Sequence, residues 1–151
     1  MRREGTKDRP NVNHLLDNIV MNGQYLSIST LPITINSVTA ILAGYITINI
    51  DMLKKNKLSD IVFTAGSGSI GTAGLTVQLY DITNAALIGS VAFTSGQNNM
   101  VKTVSVKIYL SAKSGNLLLQ ASAYKTSAVG TSSSLNSTGL NIYAKLPGTN
   151  I

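Results

Sequence analysis

A chain of 151 residues fits one domain and can bury a real core, which must be aliphatic because aromatics make up only 5% and tryptophan is absent. Charged residues contribute 12%, about half the usual share, while Ser and Thr number 32 and Asn 14, so few groups are available for proton transfer. The absence of cysteine excludes disulfides and thiolate metal sites, and a net charge of +6 without a dense basic stripe beside aromatic platforms argues against specific nucleic-acid binding.

The first eleven residues are polar and aperiodic, and hold Arg2, Arg3, Lys7 and Arg9 with Glu4 and Asp8. They read as a flexible arm. Val12, Leu15, Leu16, Ile19 and Val20 then recur at spacings of three and four, which places them on one helical face. Asn11 or Asn13 is placed to cap the start, and Gly23 to close the end. A helix of about ten residues is marginal alone in water. It must dock, either on its own domain or on a neighbouring copy. His14, Asp17 and Asn18 interrupt this segment, so it does not read as a secretory signal, and no run has the length of a transmembrane helix. The expectation is assembly without conventional secretion, with no membrane partner.

From Tyr25 the period changes to two, and residues 24–151 read as a β-domain following a 1–23 arm. Leu26 and Ile28, then Ile33 and Ile35 beyond Pro32, form the first alternations, and Ile46, Ile48 and Ile50 a clear amphipathic strand. The segment DMLKKNKLSD reads as an exposed loop. Ile61–Ala65 is a short strand, followed by the loop-like run GSGSIGTAG. Leu75, Val77 and Leu79 alternate with Thr76, Gln78 and Tyr80, and Asp81–Asn84 marks a turn before a strand over Leu87–Thr94. Val104, Val106, Ile108 and Leu110 make the longest alternation. Leu117, Leu119, Ala121 and Ala123 supply the next buried face, Thr126–Thr138 a loose loop, and Leu140, Ile142, Ala144 and Leu146 the closing strand. Eight or nine strands without a convincing helix among them predict an all-β fold, an antiparallel β-sandwich of jelly-roll type with about eight strands.

No catalytic, cofactor or metal site emerges. His14 is the one histidine, no G-x-S-x-G elbow occurs, and the run from Ala65 to Gly71 lacks the G-K-[ST] ending of a phosphate loop. Asp51 and Asp60 bracket a lysine-rich loop and read as partners for Lys54, Lys55 or Lys57. Asn136-Ser137-Thr138 matches a glycosylation sequon by pattern alone. The chain reads as a non-enzyme. The informative feature is the outward face of the strands, where Thr, Ser, Asn, Gln and Tyr occupy positions a monomer usually gives to Lys and Glu. Tyr45, Tyr80, Tyr109, Tyr124 and Tyr143 all fall there, and tyrosine combines large contact area with one hydrogen bond.

The strands GLTVQLYD, NAALIGSVAFT, VKTVSVKIYLSAKSGNLLLQASAY and GLNIYAKL resemble, in pattern and composition, the trimeric jelly-roll heads of phage fibres, virion decorations and spore-surface proteins. The likeness covers about half of the chain, and the collagen-like repeat of the spore-surface members is missing. It implies a structural, self-assembling subunit of an extracellular filament, spore appendage or virion, homotrimeric and partnered by itself or by other particle-surface proteins. The arm would link to a neighbour. The alternative is a capsid decoration or a carbohydrate- or receptor-binding head, which predicts exposed aromatic and amide residues around 95–99 and 126–138.

Overall fold

A computed structural model describes residues 24–55 and 58–144. His14, the arm residues Val12, Leu15, Leu16, Ile19 and Val20, Lys57, and Leu146 of the expected closing strand lie outside these residues. Nine strands are present among the described residues: β1 Gln24–Ser29, β2 Ile33–Ile35, β3 Ile41–Asn49, β4 Leu58–Ser67, β5 Leu75–Asp81, β6 Ala86–Phe93, β7 Val101–Ser105, β8 Asn116–Lys125 and β9 Ser133–Ala144. Two short helices, α1 Ile50–Lys54 and α2 Lys107–Ser111, join them at one end.

The strands form two antiparallel sheets. Sheet A has the order β1-β9-β4-β7, with β2 also paired to β9, and sheet B the order β3-β8-β5-β6. Setting β2 aside, the pairs β1·β9, β3·β8, β4·β7 and β5·β6 nest first-with-last around the innermost hairpin. That is the strand order of a jelly roll, as the alternating sequence pattern predicts. The alternations point Leu75, Val77, Leu79, Leu117, Leu119, Ala121 and Ala123 of sheet B against Ile61, Phe63, Leu135, Leu140 and Ile142 of sheet A, all of them buried. Each large side chain so buried is worth roughly 1.5–3 kcal/mol, and together these contacts hold the sheets face to face.

Two glycines let backbone or ring approach where a side chain would not fit. At the side of the sandwich β1 closes onto β3, and a Cβ on Gly44 would stand 2.5 Å from the Ile28 carbonyl oxygen. A bulge between Leu42 and Gly44 bends β3 to accept that contact. On the outer face of sheet A, the ring of Tyr25 lies over Gly139 of β9, in the space a side chain there would fill.

Four readings of the sequence are corrected. The alternation over Val104–Leu110 is not one strand: β7 stops at Ser105 and α2 begins at Lys107, with Ile108 90% exposed while Val106 and Leu110 are buried. Residues four apart share a face in a helix as well as in a strand, so the apolar spacing suited both. Ile50 is buried but opens α1 instead of extending β3, because the Asn49 side chain accepts a hydrogen bond from the Met52 N–H at 2.9 Å and caps a turn there. The glycine-rich run GSGSIGTAG is loop only from Gly68: Gly66 and Ser67 extend β4 beyond Ala65, and Gly66 pairs with Val101 and Ser137. The loop expected over Thr126–Thr138 ends at Ser132, and the sequon Asn136-Ser137-Thr138 lies inside β9.

Candidate interaction surface

The alternation that buries one face of sheet B also fixes what the other face carries. Tyr45, Gln120, Tyr80 and Leu87 stand opposite one another across all four strands, in a single row from edge to edge. The neighbouring row is Leu42, Ser122, Gln78 and Ser90, and beyond it come Tyr124, Thr76 and Ala92. On the other side Leu118 lies opposite Thr47. None of these side chains is charged. The described charged residues fall elsewhere, at Asp51, Lys54, Lys55, Asp60, Asp81, Lys102, Lys107, Lys113 and Lys125.

The face is internally tied but not self-satisfied. The Gln120 amide donates to the Tyr45 hydroxyl at 3.2 Å, the Gln78 amide to Ser122 Oγ at 3.2 Å, and the hydroxyls of Thr76 and Thr126 meet at 2.8 Å. These bonds fix the long side chains, which lowers the entropy lost when another surface covers them. Apolar area remains open at Leu42, Tyr45 and Leu87, which are 47%, 50% and 55% exposed. Such a mixture of aromatic, aliphatic and amide groups without Lys or Glu matches the core of a protein–protein contact.

Of the five tyrosines singled out from sequence, the structure brings together Tyr45, Tyr80 and Tyr124. Tyr143 lies on sheet A, opposite Asp60. Tyr109 is not on a strand exterior at all: it sits half-buried on α2 and donates its hydroxyl to Asp81 Oδ2 at 2.7 Å. Asp81 is fully buried and also accepts from the Asn84 side-chain amide at 2.7 Å and the Asn84 N–H at 3.1 Å. Burial alone pushes its pKa up, but the bonds from Asn84 and Tyr109 outweigh that and hold the carboxyl below its ordinary value. Burial, and then the bond to Asp81, push the Tyr109 phenol up to about 12. This trio locks α2 to the end of β5.

The remaining sequence candidates do structural work. Asp51 accepts from the Gly115 N–H at 3.2 Å, and Asp60 from Ser105 Oγ at 2.7 Å, while the expected partner Lys57 lies outside the described residues. Lys54 donates to the Lys113 carbonyl at 2.6 Å and Lys107 to the Ser59 carbonyl at 3.0 Å. The amides of the 95–99 loop are engaged by backbone: Gln97 Oε1 accepts from the Thr94 N–H and Asn98 Oδ1 from the Ile70 N–H, both at 2.8 Å. Residues 94–100 and 126–132 contain no aromatic side chain. Among the described residues no three His, Cys, Asp or Glu side chains cluster as metal ligands, and no helix is long and apolar enough to cross a membrane.

Sequence reasoning placed Gln78 on the outward side with Thr76 and Tyr80, and missed Leu42, Leu87, Leu118 and Gln120 as members of the face. The signal was there for Gln120, which alternates with buried residues. In Leu117-Leu118-Leu119 the apolar run hides which face the middle residue takes.

No family model matches the chain, and no curated protein matches it. A solved structure of infectious bursal disease virus, Gx strain, contains a similar chain: TM-score 0.43, 10% identity, 83% of this chain covered and 32% of that one. This chain therefore spans about a third of that chain's length, and a likeness so slight carries no functional reading.

Proposed function

We infer that this chain is a structural subunit that associates with copies of itself through the outer face of sheet B, as part of a virion, spore or cell-surface assembly. The observation that supports this is the edge-to-edge row Tyr45-Gln120-Tyr80-Leu87 within a four-strand face bearing no charge. Two chains of net charge +6 repel. They approach at least cost where neither carries a lysine, and this face provides that place while offering apolar area to bury.

Size decides how strong such a contact is. Four strands about 4.8 Å apart, over roughly six residues at about 3.3 Å each, give a face on the order of 20 by 20 Å. At about 400 Å² that lies below the roughly 600–1,000 Å² that one partner contributes to a stable specific interface. The face alone is a weak contact, and a regular assembly needs a second one. The arm, residues 1–23, supplies it by reaching a neighbouring subunit with Val12, Leu15, Leu16, Ile19 and Val20. The β-domains pack as a trimer, the unit implied by the sequence resemblance. This reading gives the chain no catalytic role and no cofactor.

Tyr45→Lys/Leu87→Lys tests it, because both side chains are half-exposed and an ammonium there disturbs a contact without disturbing the core. Negative-stain electron microscopy of the full-length protein should show regular oligomers or filaments for the wild type and none for the variant. Featureless single subunits for both proteins would refute self-assembly as the function.

A further inference from the structure

One open side of the sandwich is bounded by β7, which ends sheet A, and β6, which ends sheet B. The two edge strands lie side by side. Residues Ala86–Phe93 of β6 carry neither charge nor proline, and Leu87 is half-exposed. A strand of that composition at the end of a sheet is a template for pairing with another chain. Lys102 points toward it from the inner side of β7. It stands opposite buried Ala65 of β4, as Val104 stands opposite buried Phe63. Val104 and Val106 close the gap to β6 at Gly89, their Cγ1 atoms 3.2 and 3.0 Å from the place a Cβ on that glycine would take. Lys102 closes it further along: its ammonium donates to the Ala92 carbonyl at 2.7 Å and lies 5.4 Å from the centre of the Phe93 ring. A lysine of one sheet's edge strand is thus fastened to the edge strand of the other.

We propose that Lys102 is the residue that keeps this side of the sandwich from adding a strand of a second copy of the chain. Its bond acts in two ways. It engages a main-chain acceptor of β6, and charge assistance makes that bond stronger than one between neutral groups. It also holds a positive charge against a strand that has none of its own. A strand laid along this edge must either bury the ammonium without a counter-ion or displace it from Ala92 and Phe93, and both are costly. A second copy pairing through the same edge brings a second ammonium to it, and the two repel. The opposite side of the sandwich is protected by other means. There β1 reaches β3 at Gly44, and Pro32, which has no N–H to offer a neighbour, interrupts the edge between β1 and β2. The inference does not depend on the sheet B reading, since it names the surface withheld from association and not the one used.

Full-length Lys102→Met and Lys102→Arg test it, because methionine keeps an apolar stem between the strands and loses the ammonium, whereas arginine keeps a cation. Each is incubated with thioflavin T beside wild type, and the products are viewed by electron microscopy. The expected result is at least tenfold more thioflavin fluorescence from Lys102→Met than from wild type or Lys102→Arg, carried by elongated strand-paired aggregates. Equal signals from the two variants, or no rise in Lys102→Met, overturn the proposal. Leu110→Ala supplies the control for stability, since it empties a fully buried position away from this edge. A signal from Leu110→Ala as large as that from Lys102→Met would show that aggregation follows lost stability, and would overturn the edge role. Adding Tyr45→Lys/Leu87→Lys to Lys102→Met separates the two surfaces. Persistence of the signal supports pairing at the edge, and its disappearance assigns the aggregates to sheet B and overturns the proposal.

Discussion

Tyr25 and Gly139 show how one missing side chain organises a sheet surface: the phenol lies in the volume a Cβ on Gly139 would need, tying edge strand β1 to central β9. Gly139→Ala must displace that ring, and the expected loss is about 1–3 kcal/mol, read as a lower urea midpoint. Asp81 makes a second residue-scale case. Its carboxyl is held below the ordinary 3.8, so its contribution to stability is complete above that value and is lost as pH falls through the lower, folded-state value. Asp81→Asn should therefore be less stable than wild type at pH 7, with the gap closing in urea unfolding as pH falls below 3.8. The Tyr109 phenol, pushed up to about 12, favours the native state fully below its ordinary 10 and loses that contribution as pH rises toward 12. A gap between wild type and Asp81→Asn that does not narrow as pH falls below 3.8 would show that the buried trio is not where the charge matters. None of this was legible beforehand, because Asp81 reads as a turn residue and Tyr109 as a strand exterior until α2 brings them together.

At the scale of elements, the sequence is most readable where alternation runs between one buried and one half-exposed face, as in Leu75–Asp81 and Asn116–Lys125. It misleads where two periods share the same positions. Val106 and Leu110 satisfy both a strand and a helix, and only Ile108 distinguishes them by turning out to solvent. This difference is testable. Leu110→Ala should cost about 2–5 kcal/mol, since the side chain is fully buried, whereas Ile108→Lys should leave the urea midpoint nearly unchanged. A large loss in Ile108→Lys would mean that residues 104–110 form the continuous strand after all. Composition misled in the other direction at Gly66 and Ser67 and over Ser133–Thr138. Their Gly, Ser and Thr residues look like loop, yet neighbouring strands pair with Gly66, Ser67, Ser133, Ser134, Ser137 and Thr138, and β4 and β9 continue through them with a register shift between Gly66 and Ser67. Short side chains are tolerated there because two strands already flank them.

For the whole molecule, the jelly roll followed from the count and spacing of alternating segments, but its surface did not. Which tyrosines share a face depends on register, and register placed Tyr45, Tyr80 and Tyr124 on sheet B while sending Tyr143 to sheet A. The outcome is a molecule with an unequal surface. Asp51, Lys54, Lys55, Lys107 and Lys113 lie in or beside the two helices at one end, whereas the broad outer face of sheet B carries no charge. An uneven distribution of this kind favours association in one orientation, because the charged end resists contact and the neutral face does not.

Self-association through sheet B is read out by sedimentation velocity of full-length wild type beside Tyr45→Lys/Leu87→Lys across a dilution series. Wild type is expected to sediment as species larger than the 15.9 kDa chain. The variant is expected to need at least tenfold more protein to reach the same mass, with an unchanged melting temperature. Superimposable profiles for the two proteins, or a wild type that stays monomeric throughout, would contradict it.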